Sequence, residues 1–137
     1  MSNDAAIRAA ILYIERMNRR DFAGMLELQS PEFRSVNERG EICSGGEECV
    51  MGFCKYVAMN PDFQIHIADI YAAGDVVTIV GRPSGSCASP SKELEIRGTH
   101  LYVCVVKDGR VTEFRHRDDT PEERDALGAN DDTRITQ

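Results

Sequence analysis

An α+β domain, in which a curved antiparallel sheet wraps around N-terminal helices, is the fold class this sequence predicts. Three segments with helical spacing precede a run of extended segments, and no strand-helix-strand alternation occurs anywhere in the chain. At 137 residues the chain makes one domain, long enough to bury roughly two-thirds of its unfolded surface around one core. Residues 1–128 are expected to form that domain, and the polar stretch 129–137 a flexible C-terminal tail.

Each element has its own local signature. Asn3 or Asp4 caps a first helix, in which Ile7, Ala10, Ile11, Ile14 and Met17 recur at helical spacing and bury one face. Asn18-Arg19-Arg20-Asp21 interrupts it, and Asp21 caps a short second helix through Leu28 with Phe22, Met25 and Leu26 turned inward. Pro31 is expected to end the helical region. Phe33 to Asn37 then reads as a short strand and Glu38-Arg39-Gly40 as a turn. Ser44-Gly45-Gly46-Glu47 has the spacing of a capping box, with Val50, Met51, Cys54, Val57 and Ala58 on one face of a third helix that Asn60-Pro61 stops. Phe63 to Tyr71 and Val76 to Gly81 make a hairpin about Ala73-Gly74-Asp75. Arg82 to Lys92, with Pro83, Gly85 and Pro90 among serines, has no period and is expected to be a mobile loop. Leu94 to Val106 and Val111 to Arg117 form a second hairpin about Lys107-Asp108-Gly109-Arg110. Thr120-Pro121-Glu122-Glu123 starts a last helix that Gly128 closes.

Composition excludes several functions. The net charge of −7 disfavours a nucleic-acid partner, because binding a phosphate backbone requires clustered Lys and Arg. The longest apolar runs are too short to cross a bilayer, so no membrane partner is expected. Met1-Ser2-Asn3-Asp4 lacks a basic region followed by an apolar stretch, which points to the cytoplasm. Cysteines 43, 49, 54, 87 and 104 are odd in number and form no Cys-x-x-Cys pair, so reduced thiols are expected. Three dispersed histidines without paired ligand spacing argue against a metal.

Chemistry concentrates in the final hairpin. Strand side chains alternate, so His100, Tyr102 and Cys104 share a face, as do Phe114, His116 and Asp118. Two imidazoles and a carboxylate on an apolar-walled face make a candidate site. His66 alternates with Phe63, Ile65 and Ile67 and is expected to point to solvent or to a partner sheet.

The order of elements resembles the SnoaL-like branch of the nuclear transport factor 2-like superfamily, a cystatin-like α+β cone shared with ketosteroid isomerases and limonene epoxide hydrolases. Tyr13, Asn18, Asp21, Gly24 and Leu28 are similar to the family's opening, and Ser44-Gly45 before a helix to its second landmark. Arg97-Gly98-Thr99-His100 with Lys107-Asp108-Gly109-Arg110-Val111-Thr112-Glu113 resembles its final hairpin, which is the most specific match. The resemblance implies a ligand cavity between sheet and helices, no cofactor, and a homodimer formed through the outer sheet face.

It also implies residue roles. Tyr13 matches the helix-one tyrosine of ketosteroid isomerases, but Asn37 falls where they carry their aspartate base, and an amide cannot accept a proton at neutral pH. Limonene epoxide hydrolases use Arg-x-Asp and a second aspartate; Arg97-Gly98-Thr99 and His116 stand there, so that reaction is not expected. Polyketide cyclases of the family set a histidine against an acid, and here His100 matches the histidine while His116 replaces the acid. An imidazole titrating near about 6.5 can exchange protons close to neutrality. The implied function is cyclase, isomerase or lyase chemistry on a hydrophobic carbonyl compound such as a polyketide or terpenoid intermediate. His116 would be the general acid/base and His100 its orienting or oxyanion-stabilising partner. Asp118 would orient His116 if the strand bends, Tyr13 or Asn37 would donate to a substrate oxygen, and Met51, Tyr102 and Phe114 would wall the pocket.

Each residue also has a purely structural reading. His100 and His116 could be polar groups satisfied in a partly wet cavity, Tyr13 could pack on the sheet, and Asn37 could serve a turn. Asp118 or Asp119 could precede the Thr120 cap. The alternative function is a non-catalytic small-molecule-binding or protein-assembly module of the same fold.

Overall fold

The apolar stripe of the first helix organises the architecture. The computed structural model describes residues 4–85 and 98–135. Helix α1 spans Asp4–Asn18 and buries Ala9, Ala10, Tyr13, Ile14 and Met17. Asn18 locks the end of this helix to the sheet, because its amide donates to Ile65 O at 2.9 Å and accepts from Ile65 N at 2.8 Å. Helix α2, Phe22–Leu28, starts at Asp21, whose side chain accepts from Gly24 N. Of its expected inward residues Met25 is buried, whereas Leu26 is 37% exposed because the seven-residue helix presents only one narrow face to the core.

Pro31 does not end the helical region. The chain becomes extended two residues earlier, and Pro31 sits exposed within β1, Gln29–Val36. Glu38-Arg39-Gly40 turns as expected, with Gly40 at φ +80°. Strand β2, Ile42–Ser44, pairs antiparallel with β1. That pairing also overturns the expected capping box: Ser44 lies opposite Arg34, and Gly45, at φ 93°, is the N-cap without a side-chain bond.

Helix α3, Gly46–Met59, buries Val50 and Val57, while Met51, Cys54 and Ala58 of the expected inward stripe are exposed. Phe53 sets the rotation instead, since its ring meets both Phe22 and Phe63 edge-on at 6.3 Å. Large aromatic surfaces contribute more on burial than the thiol or small side chains they displace.

Strands β3 (Gln64–Ala73), β4 (Val76–Ser84), β5 (His100–Lys107) and β6 (Arg110–Asp118) complete one six-stranded sheet in the order β2-β1-β6-β5-β4-β3. Every pairing is antiparallel except β1 with β6. One-residue bulges at Ala68 in β3 and Thr112 in β6, with a larger register shift between Gln29 and Arg34 in β1, bend the sheet around α1. The expected loop therefore begins late, as Arg82 and Pro83 still pair with His66 and Ile65. Its later part, 86–92, lies outside the described residues, as does Arg97.

The concave face holds the main core, including Tyr13, Phe33, Ile65, Ile79, Tyr102 and Cys104. On the convex face Tyr71, Val80, Leu101 and Val103 pack together beneath Leu127 and Ala129. Helix α4, Pro121–Ala126, is capped by Thr120, whose hydroxyl accepts from Glu123 N, and Gly128 follows at φ 69°. The polarity of the segment after it predicts fraying, yet its described part returns to the open edge of β3. Ala72 N donates to Thr133 O at 2.9 Å and Ile135 N to Ile70 O at 2.8 Å, which covers an edge that would otherwise expose unpaired backbone. No helix among the described residues is long and apolar enough to cross a membrane.

Candidate active site

The tight turn at Asp108-Gly109, both with positive φ, starts the final hairpin with Lys107 opposite Arg110 and Val106 opposite Val111. Continued without interruption, that register would set His116 opposite Leu101 and turn it to the convex face. Thr112 prevents this. It is the extra residue between the Val106–Val111 and Val105–Glu113 pairs, and beyond it Tyr102 faces His116 and His100 faces Asp118. One inserted residue exchanges the faces of everything that follows.

Both imidazoles thus reach the concave side. His100 Nδ1 and His116 Nε2 are 2.8 Å apart. The His116 ring stacks on Tyr102 with centroids 4.9 Å apart, and the aromatic row continues through Phe114 to Tyr13, whose centroids are separated by 5.4 Å. His116 keeps 27% of its side-chain surface exposed and Tyr102 is buried. The pair sits where an apolar wall meets solvent. Burial lowers the His116 pKa, the neighbouring His100 lowers it further, and Glu38 and Asp118 partly offset both effects. The net effect holds His116 below the ordinary imidazole value, which favours its neutral form at neutral pH. Burial raises the hydroxyl pKa of Tyr102 and of Tyr13, so both phenols remain protonated.

Among the residues expected at a site, His100, His116, Tyr102 and Phe114 come together, with Tyr13 adjoining Phe114. Tyr13 accepts a bond from Gln29 Nε2 at 2.9 Å. Three others are placed differently. Asn37 is consumed by its turn: its Oδ1 accepts from Arg39 N at 3.0 Å and Glu41 N at 2.9 Å, and its Nδ2 donates to Glu41. Met51 is 57% exposed, since Phe53 takes the inward side of α3. Asp118 is exposed and acts on His116 only through its charge. Its neighbour Asp119 accepts from Thr99 and from two nitrogens of Arg124, tying the end of the hairpin to α4. His66 lies exposed with Nε2 2.9 Å from Ser84 Oγ. Among the described residues no group of three or more His, Cys, Asp or Glu is arranged to hold a metal ion.

The residue that sequence reasoning missed is Glu38, whose Oε2 is 3.2 Å from His116 Nδ1. It occupies the position intended for Asp118. Parallel pairing of Val36 with Arg115 carries the turn after β1 alongside β6, and no local pattern announces a contact between residues so far apart in the chain.

A six-stranded open sheet curved around a long helix, with an imidazole pair at the rim of an aromatic row, is the cone fold of nuclear transport factor 2-like proteins. The chain belongs to the SnoaL-like domain family, whose profile matches residues 10–114. No curated protein matches the chain significantly. Among solved structures it is similar to a SnoaL-like protein of unknown function from Burkholderia thailandensis, at 16% identity and a TM-score of 0.69, covering 88% of this chain and 99% of that one. It is similar also to a candidate SnoaL-like polyketide cyclase from Jannaschia, at 17% identity and a TM-score of 0.70, covering 93% and 94%. TerC, co-crystallised with polyporic acid, matches at 16% identity and a TM-score of 0.68, covering 90% and 98%. Identities this low establish the fold alone.

Proposed function

We propose that this chain is a SnoaL-like acid/base catalyst acting on a hydrophobic, carbonyl-containing small molecule, with cyclase, isomerase or lyase chemistry. The observation that carries the reading is the 2.8 Å contact between His100 and His116 at the end of the Tyr102-Phe114-Tyr13 aromatic row. A neutral imidazole at the solvent-facing end of this largely buried row can take a proton from carbon or oxygen and return it elsewhere. That cycle leaves the proton count unchanged, so it needs no cofactor. The Jannaschia protein's designation as a candidate polyketide cyclase and TerC's co-crystallisation with polyporic acid are in keeping with a polyketide-like or quinonoid ligand. Steroid isomerase chemistry through Asn37 has no support, because its amide is held in the turn.

The test is solvent exchange of acidic C–H protons. Bicyclic and tricyclic ketones, 2-tetralone among them, are incubated with the protein in deuterated buffer and followed by proton NMR. The proposal expects exchange above the buffer rate that falls roughly 10²-fold in His100→Gln, a usual scale for losing a general base. Exchange no faster than buffer across the whole panel would overturn it and leave the binding-module reading.

A further inference from the structure

We propose that Glu38 is a positioning residue that fixes the direction of the imidazole pair, so that His100 Nε2, and not His116, is the atom that takes the substrate proton. This rests on the acid/base reading above. A carboxylate can only accept, so His116 Nδ1, 3.2 Å from Glu38 Oε2, carries its ring proton there. In neutral His116 the lone pair is then on Nε2. That nitrogen faces His100 Nδ1 at 2.8 Å, so His100 must donate from Nδ1. The lone pair of His100 is thereby left on Nε2, which has no hydrogen-bond partner among the described residues. Both nitrogens of His116 are engaged, whereas among the described residues only one nitrogen of His100 is.

The backbone that carries Glu38 is itself held, while its side chain is half exposed. The Asn37 side chain binds the backbone of Arg39 and Glu41, Gly40 at φ +80° closes the turn, and the pairing of Val36 with Arg115 sets the turn beside β6. Asn37 thus supports the site from behind. The other groups around the pair are the Tyr102 ring beneath His116, Asp118 opposite His100, and Asp119, which is tied to Thr99 and Arg124.

The proton balance closes. As His100 Nε2 accepts the substrate proton, its Nδ1 proton passes to His116 Nε2, and the positive charge comes to rest on His116 beside the Glu38 carboxylate. The substrate is left as its enolate. Reversal of both transfers delivers the proton to a different substrate atom.

The experiment is two-bond 15N–1H correlation NMR of the labelled full chain at pH 8, which reports which ring nitrogen of each histidine carries hydrogen. The expected result is hydrogen on Nδ1 in both His100 and His116, a tautomer that free imidazole side chains disfavour, with loss of that preference at both rings in Glu38→Ala. Glu38→Gln, whose amide can donate as well as accept, should shift hydrogen from Nδ1 to Nε2 at His116 and move His100 with it. Ketone exchange should slow about tenfold in Glu38→Gln, the lower side of a general acid/base contribution. A wild-type His116 with hydrogen on Nε2, or tautomers untouched in both folded Glu38 variants, would overturn the relay even if exchange is strong. Absence of exchange with the expected tautomers would instead remove the catalytic reading and leave the hydrogen-bond order standing.

Discussion

Glu113→Gln is the substitution that tests how the site is assembled. Glu113 is 6% exposed, and its two oxygens receive Arg34 Nε and Arg115 Nε, each at 2.6 Å. Arg34 comes from β1 and Arg115 from β6, so this carboxylate fastens the one parallel pairing in the sheet, the pairing that brings Glu38 to His116. A hydrogen bond to a charged group contributes about 1.5–3 kcal/mol. The arginine side chains are 49% and 34% exposed, and solvent screening of those ends reduces each contact to about 1 kcal/mol. The variant should therefore lose about 2 kcal/mol, or roughly 6–10 °C in Tm for a domain of this size.

The pH dependence follows from the same contacts. Burial works to raise the Glu113 pKa, but the bonds and charges of Arg115 and Arg34 outweigh it and hold the folded-state value below the ordinary one. The unfolded chain thus binds this proton first as pH falls. The stabilisation is complete above the ordinary glutamate pKa of about 4.3 and is lost as pH drops through the lower folded value. Urea unfolding followed by circular dichroism at pH 7 and at pH 3 measures both quantities, with exposed Glu32→Gln as the control. A difference below about 0.5 kcal/mol at pH 7, the scale of an ordinary surface change, or one of equal size at both pH values, would refute the assignment.

Three further outcomes are expected. In ketone exchange, His116→Gln should slow the protein roughly tenfold or more, while His66→Gln should leave the rate nearly intact, because that ring is exposed and bonded to Ser84; equal effects would remove His116 from the site. Gly81→Ala places a methyl 2.9 Å from Ile65 Cγ2 and 3.0 Å from the Tyr102 ring. Such overpacking should cost about 1–3 kcal/mol, and altered His116 ring shifts should show whether Tyr102 carries the disturbance to the stacked imidazole. Cys104 is fully buried with its thiol pushed up to about 12 by desolvation, whereas Cys54 is exposed; iodoacetamide at pH 8 with mass spectrometry should label Cys54 readily and Cys104 only on unfolding.

Much of the fold was legible locally, and the exceptions have identifiable causes. The Asp21 and Thr120 caps and both hairpin turns follow from rules that act over three or four residues and are present in the structure, and so is the α1 stripe at Ala10, Ile14 and Met17, although Ile7 and Ile11 are only half-buried and Ala9 and Tyr13 turn inward beside it. Errors arose where distant surfaces competed. The Ser44 capping box gave way to pairing with Arg34, and the Met51 face of α3 gave way to Phe53 packing on Phe22 and Phe63. The tail was polar enough to read as frayed, but an open strand edge supplied its backbone partners.

Backbone alternation alone puts His100 and Tyr102 on one side of a strand and Phe114 and His116 on one side of the next. That these two sides coincide, and that a carboxylate joins them, comes from long-range packing. The first depends on the Thr112 bulge, where a one-residue shift places Phe114 and His116 on the core side. The second depends on β1 lying beside β6, a pairing across most of the chain that brings Glu38 to His116. Steric rules fix neighbours along the chain; burial of the whole sheet against α1 selects which strands meet and in which register.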